Sequence, residues 1–490
     1  MYFAPPVAAQ PGGVAAAFDG LLGPDGYPSP RVAAIAVIAL LGFGTLIGSF
    51  LGGPGGAPFW ILPNSSPVAQ VDPSPTETPA AAEEQPVETP AAIPEVLTPD
   101  PATPASVTGS VKHVWLIVLS GQGYDASFGN ADSSAYLVNT LASQGALVEN
   151  YYSVAQGELA NRIALISGQG PTWQITDNCP SYSDLVPATI DAASFNQPSG
   201  DGCVFPETVK TIGDAITASG KTFAVYAQGS DDTAAGRSSA CQVPAAGASD
   251  PNFASSVASP YTTWSNPFMF FKSLAASANC QYTVYGIPNL KQDLKGQNSP
   301  AFAMVIPDRC SSGSETPCGE GAPAGLTSSD AFLRDVVGAI TASKDYADGG
   351  LIVITFDQSN QTLPEPDVSG CCGQPAFPNL STARQVPTGP TGASGPTGSS
   401  DQAGAPATTG RYRPTATDGS PAGGGKVGLL LMSPTTLAGS VETSGQYNHF
   451  SLLLSIENWL ATEKLGYTAD SNLKPIPDDL IGIKSEDKAK

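Results

Sequence analysis

Short apolar runs that alternate with amphipathic stretches constrain the fold of this chain more than any other feature of its sequence. Each run has the length and composition of a buried strand. The runs are residues 114–119, 222–227, 302–306, 351–356 and 427–432. Alternation of this kind predicts an α/β fold with a mainly parallel central sheet and helices on both faces. Because ligands bind at the carboxyl ends of strands in such sheets, the residues after each run are candidates for a functional site.

Helical periodicity lies between or after these runs, at residues 208–220, 328–341 and 449–461. The first segment ends at Gly220, a typical helix stop, and the second begins with serines that can cap a helix. We therefore predict a helix in each of the three segments.

A run without a single charged residue, Val32 to Gly53, precedes all of these elements. It is long enough to cross the hydrocarbon core of a bilayer as one helix. The apolar part of a cleaved signal peptide is shorter, so the run predicts an uncleaved transmembrane anchor. Arg31 precedes it directly and the next basic residue is Lys112, which favours a cytoplasmic segment at residues 1–31.

Two further segments have the composition of unpacked chain. Residues 54–110 are rich in Pro, Ala, Thr and Glu, and from residue 64 onward they contain acidic residues but no basic one. Such a segment predicts an extended linker outside the membrane, with a large domain following at residues 111–484. Residues 359–425 interrupt the strand–helix pattern with Gly- and Pro-rich sequence and predict a flexible surface insertion.

All 8 cysteines follow the apolar run. An even number on one side of a membrane predicts disulfides in an oxidising compartment, which agrees with an extracytoplasmic domain. Spacing does not fix the pairing; a local bond between Cys310 and Cys318 is plausible. The adjacent Cys371 and Cys372 are expected to bond to different partners.

The charge of the chain argues against nucleic-acid binding, and its histidine content weakens the case for a metal-dependent hydrolase. The net charge is −22, with 43 acidic and 21 basic residues, and no basic patch is evident. Nucleic-acid binding is therefore not expected, since it depends on neutralising phosphates with Lys and Arg. Only 2 histidines, His113 and His449, are available for a hydrolytic metal site that usually draws on several.

Ordered sequence segments carry a family resemblance. They are residues 111–129, 150–168, 261–274, 302–310, 349–358 and 446–460. Together they resemble the phosphoesterase family of bacterial phospholipases C and acid phosphatases, within the alkaline-phosphatase-like superfamily. The resemblance implies an alkaline-phosphatase-like fold, a nucleophile and metal ligands at the strand ends.

Most of the site positions implied by this resemblance hold other residues. Ser120 and Gly121 stand where the family has Glu-Asn, and Glu158 stands where it has a nucleophilic Ser or Thr. Ser265 replaces a histidine, and Gln358 replaces a glutamate. The segment after residues 302–308 lacks the Asp and His ligands that the family supplies there.

Four positions of the family pattern are retained: Asn161, Arg162, Asp357 and His449. Each also has a structural interpretation, as a loop cap, a helix cap or a residue that fixes a helix start. For Glu158 we favour a salt bridge with Arg162 at i+4 on one helix face.

The leading hypothesis is therefore a membrane-anchored, extracytoplasmic pseudoenzyme in a bacterial-type plasma membrane, without a cofactor. It would bind a cell-envelope component or serve as an accessory subunit of a membrane complex. The first alternative is an active hydrolase of phosphoric esters with a divalent metal held by Glu158, Asp357 and His449. The second is a structural or adhesion protein of the cell wall.

Overall fold

The computed structural model describes residues 111–230, 241, 243–374, 376–380 and 422–483. The predicted cytoplasmic segment, anchor and linker, and most of the insertion predicted at 359–425, lie outside the described residues. Within those ranges, no helix has the length and apolarity that a membrane crossing requires.

All five apolar runs form strands, as predicted. The strands are β1 (His113–Leu119), β2 (Ala146–Val148), β3 (Tyr151–Tyr152), β4 (Ser181–Tyr182), β5 (Val186–Asp191), β6 (Gln197–Asp201), β7 (Phe223–Ala227), β8 (Ala248–Ser249), β9 (Val284–Tyr285), β10 (Phe302–Ile306), β11 (Gly350–Phe356), β12 (Leu429–Met432), β13 (Ser440–Glu442) and β14 (Tyr447–Asn448). Eight of them form one sheet in the order β13-β2-β12-β11-β1-β10-β7-β9. Only the pairings of β12 with β11 and β2 are antiparallel, so the sheet is mainly parallel as predicted.

The helices are α1 (Glu158–Ser167), α2 (Trp173–Thr176), α3 (Ile212–Ala218), α4 (Lys272–Ala275), α5 (Ile287–Gly296), α6 (Asp330–Thr341), α7 (Lys344–Ala347) and α8 (His449–Trp459). The three predicted segments correspond to α3, α6 and α8. α3 begins later than predicted because Thr211 and Asp214 form a capping box at its start. α6 begins two residues late because residues 326–329 form a 3₁₀ turn.

The central strands β1 and β11 lie inside the core. Every residue of β11 is buried, and so are all residues of β1 after His113. A strand that is buried on both faces has a continuous apolar sequence, which explains why the sequence identifies these strands so clearly. α1 is buried along its whole length and packs against α8, so charged residues on α1 are enclosed by protein.

Four disulfides join the eight cysteines: Cys179–Cys203, Cys241–Cys280, Cys310–Cys318 and Cys371–Cys372. The local pair Cys310–Cys318 agrees with expectation. The expectation of separate partners for Cys371 and Cys372 is wrong. The other six cysteines pair among themselves, and a left-handed backbone at Cys372 (φ 70°) turns the chain between the two adjacent residues.

Candidate functional site

The carboxyl ends of β1 and β11 adjoin, and the residues after them form the floor of the candidate site. The two strands are parallel neighbours in register from His113 opposite Gly350 to Leu119 opposite Phe356. Ser120 and Gly121 therefore lie beside Asp357. The Gly121 amide donates a hydrogen bond to Asp357 Oδ1 at 3.1 Å.

Helix α1 delivers Glu158 and Arg162 to this floor from the loop after β3. Its N-cap is Gly157, whose φ of 107° is accessible to glycine but strained for other residues. A Cβ at this position would lie 2.6 Å from the Thr176 carbonyl oxygen. Gln358 also holds the start of α1 in place, because its Oε1 accepts a hydrogen bond from the Gly157 amide at 2.7 Å.

A buried ion pair between Arg162 and Asp357 lies at the centre of the site. The guanidinium Nε and Nη2 donate to Asp357 Oδ2 at 3.2 and 3.0 Å, and the two side chains are 1% and 0% exposed. The predicted Glu158–Arg162 salt bridge is therefore wrong. The Arg162 side chain points into the core and pairs with the desolvated carboxylate of Asp357, which would be costly to bury without a cation.

The remaining donors of Arg162 also bind the strand ends. Nη2 donates to Ser120 Oγ at 2.9 Å, and Nη1 donates to the Ser265 carbonyl oxygen at 3.1 Å. One guanidinium thus contacts three positions of the family pattern: 120, 265 and 357.

Asp357 accepts further hydrogen bonds that favour its charged form. Ser120 Oγ donates to Oδ2 at 3.0 Å, and the Gln358 amide donates to Oδ1 at 2.8 Å. Burial nevertheless raises the pKa of Asp357 to about 6, with the Arg162 guanidinium opposing the shift. At neutral pH the carboxylate is ionised and its charge is balanced by Arg162.

Glu158 forms a second ion pair beside the first. Its Oε1 accepts from Arg309 Nη1 at 3.0 Å, and both side chains are 11% exposed. Arg309 also stacks over Trp264, with 4.9 Å from Cζ to the ring centroid. Two arginines and two carboxylates therefore form a compact cluster without net charge, which we call the arginine–carboxylate cluster (Glu158, Arg162, Arg309, Asp357).

His449 begins α8 and is completely buried. Its Nε2 lies 3.0 Å from the Asp357 carbonyl oxygen, which can only accept, so Nε2 carries the proton. Its Nδ1 then accepts from the Tyr151 hydroxyl at 2.8 Å. Burial raises the pKa of Tyr151 and lowers that of His449 to about 4, so the imidazole is neutral and both of its nitrogens are occupied.

Asn161 holds the loop before α1 in place. Its Oδ1 accepts from the amides of Val154 and Ala155 at 2.9 and 3.0 Å. Its Nδ2 donates to the carbonyl oxygens of Ala155 and Gly157 at 2.6 and 3.0 Å. These bonds satisfy backbone groups that would otherwise be buried without partners.

Residues 122–460 match the sequence profile of the Phosphoesterase family. The chain belongs to this family. A comparison with curated proteins finds no match. Solved structures similar to this phosphoesterase-family protein include a member of the alkaline phosphatase superfamily from Vibrio parahaemolyticus, with 10% identity over 77% of this chain and 73% of that one and a TM-score of 0.37.

Two further solved structures show the same level of similarity. A putative sulfatase from Bacteroides thetaiotaomicron has 12% identity over 76% of this chain and 75% of that one, with a TM-score of 0.38. The lipoteichoic acid synthase LtaP from Listeria monocytogenes has 11% identity over 76% of this chain and 75% of that one, with a TM-score of 0.38.

The side chains at this site do not fit the divalent metal that the family resemblance implies. Glu158 is paired with Arg309, the carboxylate of Asp357 is surrounded by donors, and neither His449 nitrogen has a free lone pair. Among the described ranges, no group of three or more His, Cys, Asp or Glu side chains is arranged to hold an ion. The three candidate ligands are near one another, but other groups occupy their donor atoms.

Sequence reasoning did not identify Arg309 or the hydroxyl of Tyr151 as part of the site. Arg309 follows β10, whose end lies next to that of β1, and it begins a 3₁₀ turn capped by Asp308. Its position three residues after the buried strand β10 could have marked it as a candidate site residue. A search limited to metal ligands does not select an arginine there.

Proposed function

We propose that this protein is a catalytically inactive member of the Phosphoesterase family, anchored in a bacterial-type plasma membrane, which uses its extracytoplasmic domain for binding within the cell envelope. The observation that carries the proposal is the buried Arg162 guanidinium, bonded to Asp357, Ser120 and the Ser265 backbone. Arg162 itself is retained from the family pattern; its surroundings differ, since positions 120 and 265 offer it a hydroxyl and a backbone carbonyl in place of the Glu and His of the family.

The nucleophile position supports the same conclusion. Glu158 has no hydroxyl to attack phosphorus, and its carboxylate is an anion that would repel an incoming phosphate. Its ion pair with Arg309 also occupies a cation that could otherwise have bound a phosphate oxygen. Phosphoryl chemistry requires a nucleophile and a group that stabilises the developing charge. Within the described arginine–carboxylate cluster, no side chain is free for either role.

The proposed location depends on the sequence before the described domain. The uncharged run at 32–53 has the length of a bilayer span, and Arg31 precedes it. The four disulfides of the domain support an oxidising compartment on the far side of the membrane. Within the envelope, the protein would serve as an accessory subunit of a membrane complex or bind an envelope component.

Metal content and turnover test the proposal directly. We expect full-length protein, purified without chelators, to contain no stoichiometric divalent metal and to hydrolyse neither a phosphomonoester nor a phospholipid above the rate of a buffer blank. Glu158→Ala and the control Glu320→Ala, an exposed acid outside the cluster, should both leave that baseline unchanged. Stoichiometric metal, together with turnover that Glu158→Ala abolishes and Glu320→Ala preserves, would refute it.

A further inference from the structure

A cleft of about 580 Å³ opens beside the arginine–carboxylate cluster, at the same edge of the sheet. Residues 122–126 after β1 form one wall, and residues 359–369 after β11 form another. Tyr152, Glu315 and Lys426 complete the lining. The volume lies within the range of small-molecule sites, about 300–1,000 Å³, and suits a ligand with two sugar rings.

The cleft presents polar groups that have no protein partner among the described residues. They are the carboxylate of Asp125, the Nδ2 of Asn360, the hydroxyl of Tyr152 and the second carboxylate oxygen of Glu315. Acceptors and donors are thus mixed over a short distance. Hydroxyl groups, which donate and accept at once, complement such a mixture better than a ligand of one polarity.

Two apolar surfaces accompany these polar groups. Tyr152 is half-buried and lines the cleft, and Leu363 in the same lining is 51% exposed. One face of the Tyr124 ring is occupied, because the ammonium of Lys426 lies 4.3 Å from its centroid. The face of a sugar ring that carries C–H groups is apolar and would pack against Tyr152, while its edge reaches the polar groups.

The charges around the cleft select against an anionic ligand. Asp125, Glu315 and Asp367 line it, and the only lysine in the lining is neutralised, since Lys426 Nζ bonds to Glu149 Oε1 at 2.9 Å. A phosphate or carboxylate group would enter an acidic surrounding with no free cation in the lining. The site therefore differs in its chemistry from one built for a phosphoric ester.

The wall at 359–369 is held in place by its own hydrogen bonds. Ser359 Oγ and Gln361 Nε2 both donate to the Asp367 carbonyl oxygen at 2.8 Å. The Lys426 amide donates to Asp367 Oδ2 at 2.9 Å, which joins this wall to the segment that precedes β12. A wall that is ordered before binding reduces the entropic cost of holding a ligand.

We propose that this cleft binds an uncharged saccharide of about two sugar rings. The proposal rests on the binding role proposed above and specifies the ligand class. Sugars are a component of the cell envelope in which the domain is proposed to lie, and the cleft combines the aromatic face, the mixed polar groups and the acidic charge that suit a neutral sugar.

Saturation-transfer NMR with full-length protein tests this proposal. The neutral probes are maltose, cellobiose and N,N′-diacetylchitobiose, and glucose with glucose 6-phosphate forms the pair that differs in charge. We expect at least one disaccharide to bind with a dissociation constant of about 1 mM, which corresponds to about −4 kcal/mol. Glucose 6-phosphate should bind more weakly than glucose because of the acidic lining.

Variants then locate the binding. Asp125→Ala removes an exposed carboxylate, and Asn360→Ala removes a half-buried amide whose Oδ1 also accepts from the amide and hydroxyl of Thr362. Each should weaken binding about tenfold, as expected for a lost hydrogen bond to a charged or well-ordered partner. Tyr152→Ala should weaken it by a similar factor, while Tyr152→Phe keeps the ring and loses less. The matched control is Asp132→Ala, an exposed acid outside the cleft.

Three outcomes would overturn the proposal: no disaccharide binds, the Asp125 and Asn360 variants bind like the control, or glucose 6-phosphate binds more tightly than glucose. Because Asp125 is exposed, its variant reports on binding even if Tyr152→Ala unfolds. Turnover of a phosphate ester would contradict the proposed function without affecting the saccharide measurement, so the two failures are distinguishable.

Discussion

Replacing Arg162 by methionine tests whether the arginine–carboxylate cluster is a coupled unit. Methionine approximates the length of the arginine stem but removes the guanidinium, so Asp357 loses its buried counter-charge. Ser120 Oγ and the Ser265 carbonyl oxygen lose a donor at the same time. No other cation bonds directly to Asp357 in the described structure, because Arg309 is held by Glu158.

The expected loss is large because both members of the ion pair are almost inaccessible to solvent. Removing one partner of a buried pair leaves an uncompensated charge and costs about 3–5 kcal/mol in the free energy of unfolding. Asp357→Asn, which leaves the Arg162 charge alone, should cost a similar amount. The double variant Arg162→Met/Asp357→Asn contains neither charge, so its loss should be smaller than the sum of the two by about 2 kcal/mol or more.

Urea unfolding of the wild-type protein and the three variants, followed by tryptophan fluorescence under non-reducing conditions, gives the four free energies. The surface pair Lys291–Asp335, whose side chains are 39% and 52% exposed, is the control, and its cycle should give about 0–1 kcal/mol. Additive losses at Arg162 and Asp357, or a loss below about 1 kcal/mol for Arg162→Met, would refute the assignment of a strong buried pair.

Three further predictions concern single residues. Burial raises the pKa of Glu457 to about 7, so the folded state retains a proton that the unfolded state has lost, and the wild type loses stability as pH rises. In urea titrations between pH 5 and 8, the free energy of unfolding of Glu457→Gln should rise by about 3 kcal/mol relative to that of the wild type. A difference that does not change with pH would contradict this. Burial lowers the pKa of His449 to about 4, so the stability contributed by the neutral imidazole is present above pH 6.5 and is lost as pH falls. Between pH 6.5 and 4, His449→Gln should lose about 3 kcal/mol less in free energy of unfolding than the wild type does. Parallel curves for the two proteins would count against this prediction. Gly157→Ala should lower the free energy of unfolding by about 1–3 kcal/mol, because φ is 107° and the new Cβ would lie 2.6 Å from a carbonyl oxygen; a neutral result in the same titration would show that the loop relaxes freely.

The sequence predicts the centre of this fold better than its edges. β1, β10 and β11 are buried on both faces, and their apolar runs identify them to within a residue. The edge strands β13 and β9 have three and two residues, too few for a pattern to emerge. The direction of a strand depends on how the chain packs, so the antiparallel direction of β12 was not predictable from its apolar run.

The candidate site shows a second limit of sequence reasoning. Comparison of the strand ends identifies Ser120, Asp357 and Glu158 as belonging to one site, and the structure places them at one edge of the sheet. The pairing of charges was not predictable in this way. An i+4 rule joins Glu158 to Arg162, but the actual partners, Arg309 and Asp357, lie 151 and 195 residues away in the chain.

Pairing across such distances predicts that a single substitution toward the family pattern lowers the stability of the protein. A hydroxyl at position 158 would restore the family residue but would leave Arg309 without its carboxylate, close to the buried Arg162. Restoring a hydroxyl at position 158 would therefore leave the largely buried Arg309 charge uncompensated, at a cost approaching the roughly 3–5 kcal/mol of a fully buried pair. This interdependence is what distinguishes a reorganised ion-pair cluster from an enzyme site that has lost one residue.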